Sequence, residues 1–146
     1  MSLVISALIF LVLLTVSGLH LAWALGSTFP ARDEQSLSKA AGGFKDAEKM
    51  PPPLASLLVA IATFAAAVWP FMMRGSLGSF WPNSLVSFGA IVLVLVFLGR
   101  GVAGYTRWMR NICPEEPFAT LNRRYYSPLC LIIGAGFLVL AIERFS

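Results

Sequence analysis

Four long apolar runs limit how this chain can fold. The first extends from 3 to 25 without a charged residue, and at about 1.5 Å per residue a helix of that length crosses the roughly 30 Å hydrocarbon core of a bilayer. The others cover 54–73, 84–105 and 126–143. Only 12% of the residues are charged and 58% are hydrophobic, against about 25% charged in soluble domains. The sequence therefore predicts an all-α fold, a four-transmembrane-helix bundle forming one integral membrane domain over residues 1–146.

Three of these spans need a closer argument. The first is predicted to be a retained helix and not a cleaved signal peptide, because MSLVIS contains no Lys or Arg and the run is too long. The third is uninterrupted only over 84–98, so we extend it to Tyr105, which places Arg100 inside the helix. The fourth is predicted to start at Ser127 as a cap, with Pro128 in the first helical position.

Two long polar loops, 26–53 and 106–125, connect the spans in pairs. Acidic and basic residues balance in the first loop, and the segment 34–49 is expected to form a short surface helix interrupted at Gly42 and Gly43. No phosphate-binding glycine pattern occurs there. A loop of this length is usually functional or disordered.

The basic residues predict the orientation in the membrane. Nine of the 11 Lys and Arg lie in or beside the two long loops, and the other two, Arg74 and Arg144, lie towards the opposite end. The positive-inside rule then places both long loops in the cytoplasm and both termini together on the other side. Cys113 and Cys130 would stay thiols in that reducing compartment, whereas the reversed orientation would allow a disulfide. A nucleic-acid partner is not expected, because the sequence has no basic stripe interleaved with aromatic residues on a soluble face.

Two ionisable residues are predicted inside the spans at the loop end. His20 lies roughly 8 Å below the end of the first helix, and Arg100 lies at a comparable depth in the third. Ionisable residues within membranes are costly and often functional. We expect them to form one polar and aromatic cluster with neighbouring side chains, and the candidate binding residues are His20, Trp23, Arg100, Tyr105, Arg107 and Tyr126.

Each candidate also has a purely structural explanation. Arg100 could extend its guanidinium to lipid phosphates, and His20 could satisfy a hydrogen bond between helices. Tryptophan and tyrosine are common at membrane interfaces. With one histidine there is neither a two-histidine haem site nor an HExxH zinc motif, so we predict no metal and no cofactor, and the sequence identifies no catalytic residue.

These features leave two classes of function open. The leading hypothesis is a non-enzymatic membrane component that binds a membrane lipid or a protein partner, including a second copy of the chain. The alternative is a membrane-embedded enzyme or carrier for a lipophilic substrate, with His20 in acid–base chemistry and Arg100 holding an anionic group. A channel is disfavoured, since none of the spans carries a continuous polar face.

Three segments resemble a known family. SGLHLAWALG (17–26), FLGRGVAGY (97–105) and PFATLNRRYYSPLC (117–130) are similar to the signature stretches of small bacterial inner-membrane proteins known only as a domain of unknown function. The resemblance implies a four-helix protein of the bacterial inner membrane with no established activity. The chain departs from the pattern at Asn122, where the resemblance implies aspartate, and this puts a salt bridge at that position in doubt.

Overall fold

The computed structural model describes residues 2–45, 49–75 and 81–145, and every regular element in these ranges is helical. The elements in order are α1 (Ser2–Ala24), α2 (Glu34–Leu37), a first π-helical turn (Ser38–Gly42), α3 (Pro53–Met73), α4 (Asn83–Ala103), α5 (Arg107–Ile112), α6 (Phe118–Leu121), a second π-helical turn (Asn122–Tyr126) and α7 (Ser127–Phe145). Helices α1, α3, α4 and the continuous segment Phe118–Phe145 are long and apolar enough to cross a membrane. The predicted all-α fold with four candidate membrane helices is confirmed.

The bundle consists of two antiparallel helix pairs, α1 with α3 and α4 with α7. In the first pair the Ser17 hydroxyl donates to the Ala60 carbonyl at 2.8 Å, and the Arg74 guanidinium at the end of α3 donates to the Ser2 hydroxyl at the start of α1. The core between the pairs contains Phe137 of α7, which is fully buried, together with Ile9 and Leu13 of α1. Tight packing, which is the main force between helices in lipid, therefore holds the pairs together.

The fourth membrane helix begins earlier than the sequence suggests, and the prediction that Ser127 caps it is wrong. The chain is already helical from Phe118 and passes through the second π-helical turn into α7, so Ser127 has helical backbone angles and its N–H donates to the Asn122 carbonyl. Because the helix continues through Ser127, the N–H groups of the following turn have acceptors in the preceding turn, and the Ser127 hydroxyl is free for a different contact.

The ends of the other predicted elements shift by smaller amounts. Helix α4 ends at Ala103, short of the predicted Tyr105. In the first long loop helical structure covers 34–42 and stops at Gly43, whose positive φ of 62° favours glycine. The rest of the predicted surface helix is not helical where described, and its residues 46–48 lie outside the described ranges, as do 76–80 of the short connection.

The two long loops contact each other at one end of the bundle, which we call the loop end. The Tyr126 hydroxyl donates to the Ala40 carbonyl at 3.2 Å, and the Glu115 N–H donates to the Gly43 carbonyl at 3.2 Å. The last turns of α1 and α4 and the start of α7 are at this end. The first long loop is thereby fixed against the segment that leads into α7.

Candidate functional site

A buried asparagine side chain organises the loop end. The Asn122 Oδ1 atom accepts from Arg100 Nη2 at 2.9 Å and from the Ser127 hydroxyl at 3.3 Å. Its Nδ2 donates to the Gly104 carbonyl at 3.1 Å. We call these four residues, Arg100, Gly104, Asn122 and Ser127, the Asn122 cluster. The cluster joins the last turn of α4 to the first turn of α7 through the π-helical turn between α6 and α7.

The amide orientation of Asn122 follows from its partners. Arg100 can only donate and the Gly104 carbonyl can only accept, so the oxygen must face the guanidinium and the nitrogen the carbonyl. Asn122 is 2% exposed and Ser127 is fully buried. A buried polar group is stable only when its hydrogen bonds are made, and the cluster meets that condition for Asn122.

The charge of Arg100 is less well compensated. Its described hydrogen-bond partner is the neutral Asn122 amide, and its Nη1 atom is buried with no acceptor among the described residues. Arg100 is part-buried, and removing part of the hydration of a cation without supplying a counter-ion is unfavourable. Arg100 is therefore a fixed cation with an unused donor, an arrangement suited to an anionic or strongly accepting group.

Two thiols lie close enough to Arg100 to sense its charge. Burial raises the pKa of the Cys113 thiol, and the charge of Arg100 offsets this only in part. Cys130 is partly buried in the first turn of α7, and both cysteines are free in the structure. A thiol with a raised pKa stays protonated near neutral pH and is a poor nucleophile, so Cys113 does not act as the missing anion.

The π-helical turn explains the position of Tyr105. In a π-helix the carbonyl of Arg123 would accept from the N–H of residue 128, but Pro128 has none. The Tyr105 hydroxyl donates to this carbonyl at 3.2 Å instead. Tyr105 therefore replaces a missing backbone donor and links the end of α4 to the turn that carries Asn122.

His20 and Trp23 form a separate pair near the end of α1. Their ring centroids are 4.6 Å apart, and Trp23 Nε1 donates to the Phe29 carbonyl at 2.7 Å. His20 Nδ1 lies 2.9 Å from the Val16 carbonyl. Because a carbonyl only accepts, Nδ1 carries a proton, and in the neutral ring Nε2 keeps its lone pair.

The structure thus divides the six candidate binding residues. His20 contacts Trp23, Tyr105 and Tyr126 bind carbonyls of the loops, and Arg107 is exposed at the start of α5. Arg100 binds Asn122, and no described hydrogen bond, ion pair or ring contact joins it to His20. A single cluster containing all six stays a prediction.

Sequence reasoning missed the residues that hold Arg100. The sequence indicates Asn122 only as a departure from a family pattern, and it predicts Ser127 as a helix cap. Side chains five residues apart lie on the same face only in a π-helical turn. Propensity scales do not predict such turns. Gly104 carried one usable signal, since a glycine at a helix end often permits close approach of another segment.

The loop end carries groups that can bind a ligand. Among residues 2–45, 49–75 and 81–145, no three His, Cys, Asp or Glu side chains are placed to hold a metal ion. What the loop end offers is a fixed guanidinium, buried amide and hydroxyl groups that orient it, and a histidine with a free ring nitrogen. These groups can hold an anion or a polar headgroup.

Four helices long and apolar enough to cross a bilayer indicate a small multi-pass membrane protein. The chain belongs to the family described as Protein of unknown function (DUF3995), whose model matches residues 13–137. The resemblance to a domain of unknown function is therefore confirmed. Comparisons with curated proteins and with solved structures give no significant match.

Proposed function

We propose that this protein is a non-enzymatic component of the bacterial inner membrane that binds an anionic membrane lipid at its loop end. The observation that carries the proposal is Arg100, whose buried Nη1 has no described acceptor and whose described partner is neutral. A phosphate or carboxylate headgroup would supply both the acceptor and the counter-charge. Long loops in the cytoplasm and termini in the periplasm are part of the proposal and rest on the distribution of Lys and Arg.

The other candidate residues have auxiliary roles in this proposal. Trp23 and Tyr126 are partly buried, and in this proposal they would lie where an acyl chain meets the headgroup layer, the depth that their ring types prefer. Tyr105 supports the π-helical turn. Arg107, exposed at the start of α5, lies on a separate surface. His20 can donate or accept one further hydrogen bond through Nε2.

The first test is retention of lipid by Arg100→Gln. The protein is purified in a mild non-ionic detergent, loaded with phosphatidylglycerol or phosphatidylcholine, washed and analysed by native mass spectrometry. We expect wild type to retain phosphatidylglycerol preferentially and Arg100→Gln to lose roughly tenfold or more in affinity, the value of a charge-assisted hydrogen bond. Arg32→Gln removes a charge from the other long loop and is the matched control. Equal retention by Arg100→Gln and wild type would contradict the proposal.

A second variant separates binding from folding. Asn122→Asp keeps Arg100 and gives it an internal counter-ion, so it should lower retention of phosphatidylglycerol while leaving the guanidinium in place. The thermal midpoint is measured in parallel, because aspartate cannot donate to the Gly104 carbonyl. A normal midpoint with undiminished retention would show that the charge of Arg100 does not attract the lipid.

A carrier or enzyme for a lipophilic substrate is the second candidate, and the Nε2 lone pair of His20 favours it. His20→Ala should then abolish turnover or transfer of the lipid while leaving its retention intact. If the protein only binds lipid, His20→Ala should leave its function in cells unchanged, as long as Trp23 still donates to the Phe29 carbonyl.

A further inference from the structure

We propose that α5 is an interfacial helix that binds the headgroups of anionic phospholipids in the leaflet at the loop end. This surface is distinct from the Arg100 site, and the inference shares with the proposed function only the placement of the loop end at the membrane surface.

The first step is the position of α5. It begins shortly after α4 ends at Ala103, and the Thr106 hydroxyl caps it by accepting from the Met109 N–H at 3.3 Å. A helix that follows a membrane span so closely lies at headgroup depth.

The second step is the distribution of side chains around α5. Trp108 and Ile112 are one turn apart and share a face, and they are 63% and 38% exposed. Arg107 and Arg110 share another face and are exposed. Met109, between the two faces, is partly buried against the protein. One exposed face is therefore apolar and aromatic and the other is cationic, which is the pattern of a helix lying in a membrane interface.

The third step is the charge around α5. No described ion pair joins Arg107 or Arg110 to the acids that follow in the loop, and the Glu116 carboxylate instead accepts from the backbone N–H and the hydroxyl of Thr120. Arg123 and Arg124 are also exposed, and the Tyr105 bond to the Arg123 carbonyl holds their segment beside the end of α4. Four exposed guanidinium groups lie on α5 and on the segment held at the end of α4, two of them on the same helix as the exposed Trp108, and together they complement a layer of phosphates.

The test compares two pairs of charge substitutions. Arg107→Gln with Arg110→Gln removes the cations of α5, and Arg32→Gln with Lys45→Gln removes two cations from the first loop. Detergent-purified protein is titrated with phosphatidylglycerol at low and high salt, and binding is followed by the rise in thermal midpoint. An arginine beside an anionic surface is worth about fivefold in binding, so we expect the α5 pair to weaken binding roughly 20-fold at low salt and to flatten the salt dependence, and the control pair to change little.

The position of Trp108 gives an independent measurement. In nanodiscs containing brominated phosphatidylglycerol, wild type should show a quenched fluorescence component that Trp108→Phe lacks, and Arg107→Gln with Arg110→Gln should reduce it. Quenching of wild type by brominated phosphatidylcholine that equals quenching by brominated phosphatidylglycerol would overturn the recognition of anionic headgroups. Absence of the quenched component would overturn the interfacial placement.

The outcomes also separate this inference from the Arg100 site. If only the Arg100 proposal holds, Arg100→Gln loses the tightly retained lipid and the α5 pair behaves as its control. If only the α5 proposal holds, the salt-dependent binding disappears in the α5 pair and persists in Arg100→Gln. An acidic protein that copurifies with wild type and is lost in the α5 pair, with lipid binding unchanged, would assign the surface to a protein partner and overturn the lipid assignment.

Discussion

Gly104→Ala is expected to lower the free energy of unfolding by about 2 to 3 kcal/mol, near the upper end of the cost of overpacking. A Cβ atom at this position would lie 1.8 Å from the Ser127 hydroxyl oxygen, 2.9 Å from its Cβ and 3.0 Å from Asn122 Nδ2. Rotating the hydroxyl away does not relieve the second contact, so α4 and α7 must move apart. That movement lengthens the bonds of Asn122 to Arg100 and to the Gly104 carbonyl. The measurement is unfolding in mixed micelles with increasing sodium dodecyl sulfate.

The same helix supplies a matched control for this prediction. A methyl group added at Gly99 would have no atom within 4 Å, so Gly99→Ala should be neutral or stabilising by up to about 1 kcal/mol through helix propensity. Combining Gly104→Ala with Ser127→Gly removes both clashing atoms of Ser127 and should recover part of the loss. Equal effects of alanine at the two glycines would show that close approach at Gly104 is not what matters.

The helices were the predictable part of the structure, for a physical reason. In a bilayer the backbone must satisfy its own hydrogen bonds, so an apolar run of sufficient length has almost no alternative to a helix. Arg100 was also placed correctly inside the third helix. These features depend on the composition of windows of about 20 residues, and this composition can be read directly from the sequence.

Contacts between segments were not predictable to the same degree. Ser127 followed by Pro128 is a standard helix start, yet here the second π-helical turn, Asn122–Tyr126, leads directly into α7 and the helix is already formed before the proline. The partner of Tyr126 is the Ala40 carbonyl in the other loop. Nothing local in either segment indicates that pairing, since it depends on how two long loops fold against each other.

Arg144 shows the same limit at the opposite end of the bundle. The sequence indicates only a basic residue near the end of the last helix. In the structure its guanidinium donates from Nη1 to the Met73 carbonyl at 2.7 Å, from Nε to the Ser87 hydroxyl at 3.0 Å and from Nη2 to Asn83 Oδ1 at 2.9 Å. One side chain therefore joins the ends of α3 and α7 to the start of α4.

Arg144→Ala is expected to lower the free energy of unfolding by about 3 kcal/mol. Hydrogen bonds to a charged group contribute roughly 1.5 to 3 kcal/mol each when buried, and partial exposure of this site reduces their sum. Met73 is the last residue of α3, where backbone carbonyls lack intrahelical partners. Arg144→Ala removes the donor to the Met73 carbonyl and so destabilises this helix end. The measurement is again unfolding in mixed micelles.

Two further variants decide whether geometry or charge stabilises this end. Arg144→Lys keeps the charge but cannot reach three acceptors on different elements at once, because lysine has a single nitrogen at the end of a flexible chain. It should therefore lose most of what alanine loses. Arg74→Ala removes a cation at the same end whose described side-chain contact is with the Ser2 hydroxyl, and it should cost less than about 0.5 kcal/mol. Full stability of Arg144→Lys would mean that the three-way contact contributes little. The positive charge at the end of α7 would then be sufficient, through its attraction to the carbonyl ends of α3 and α7.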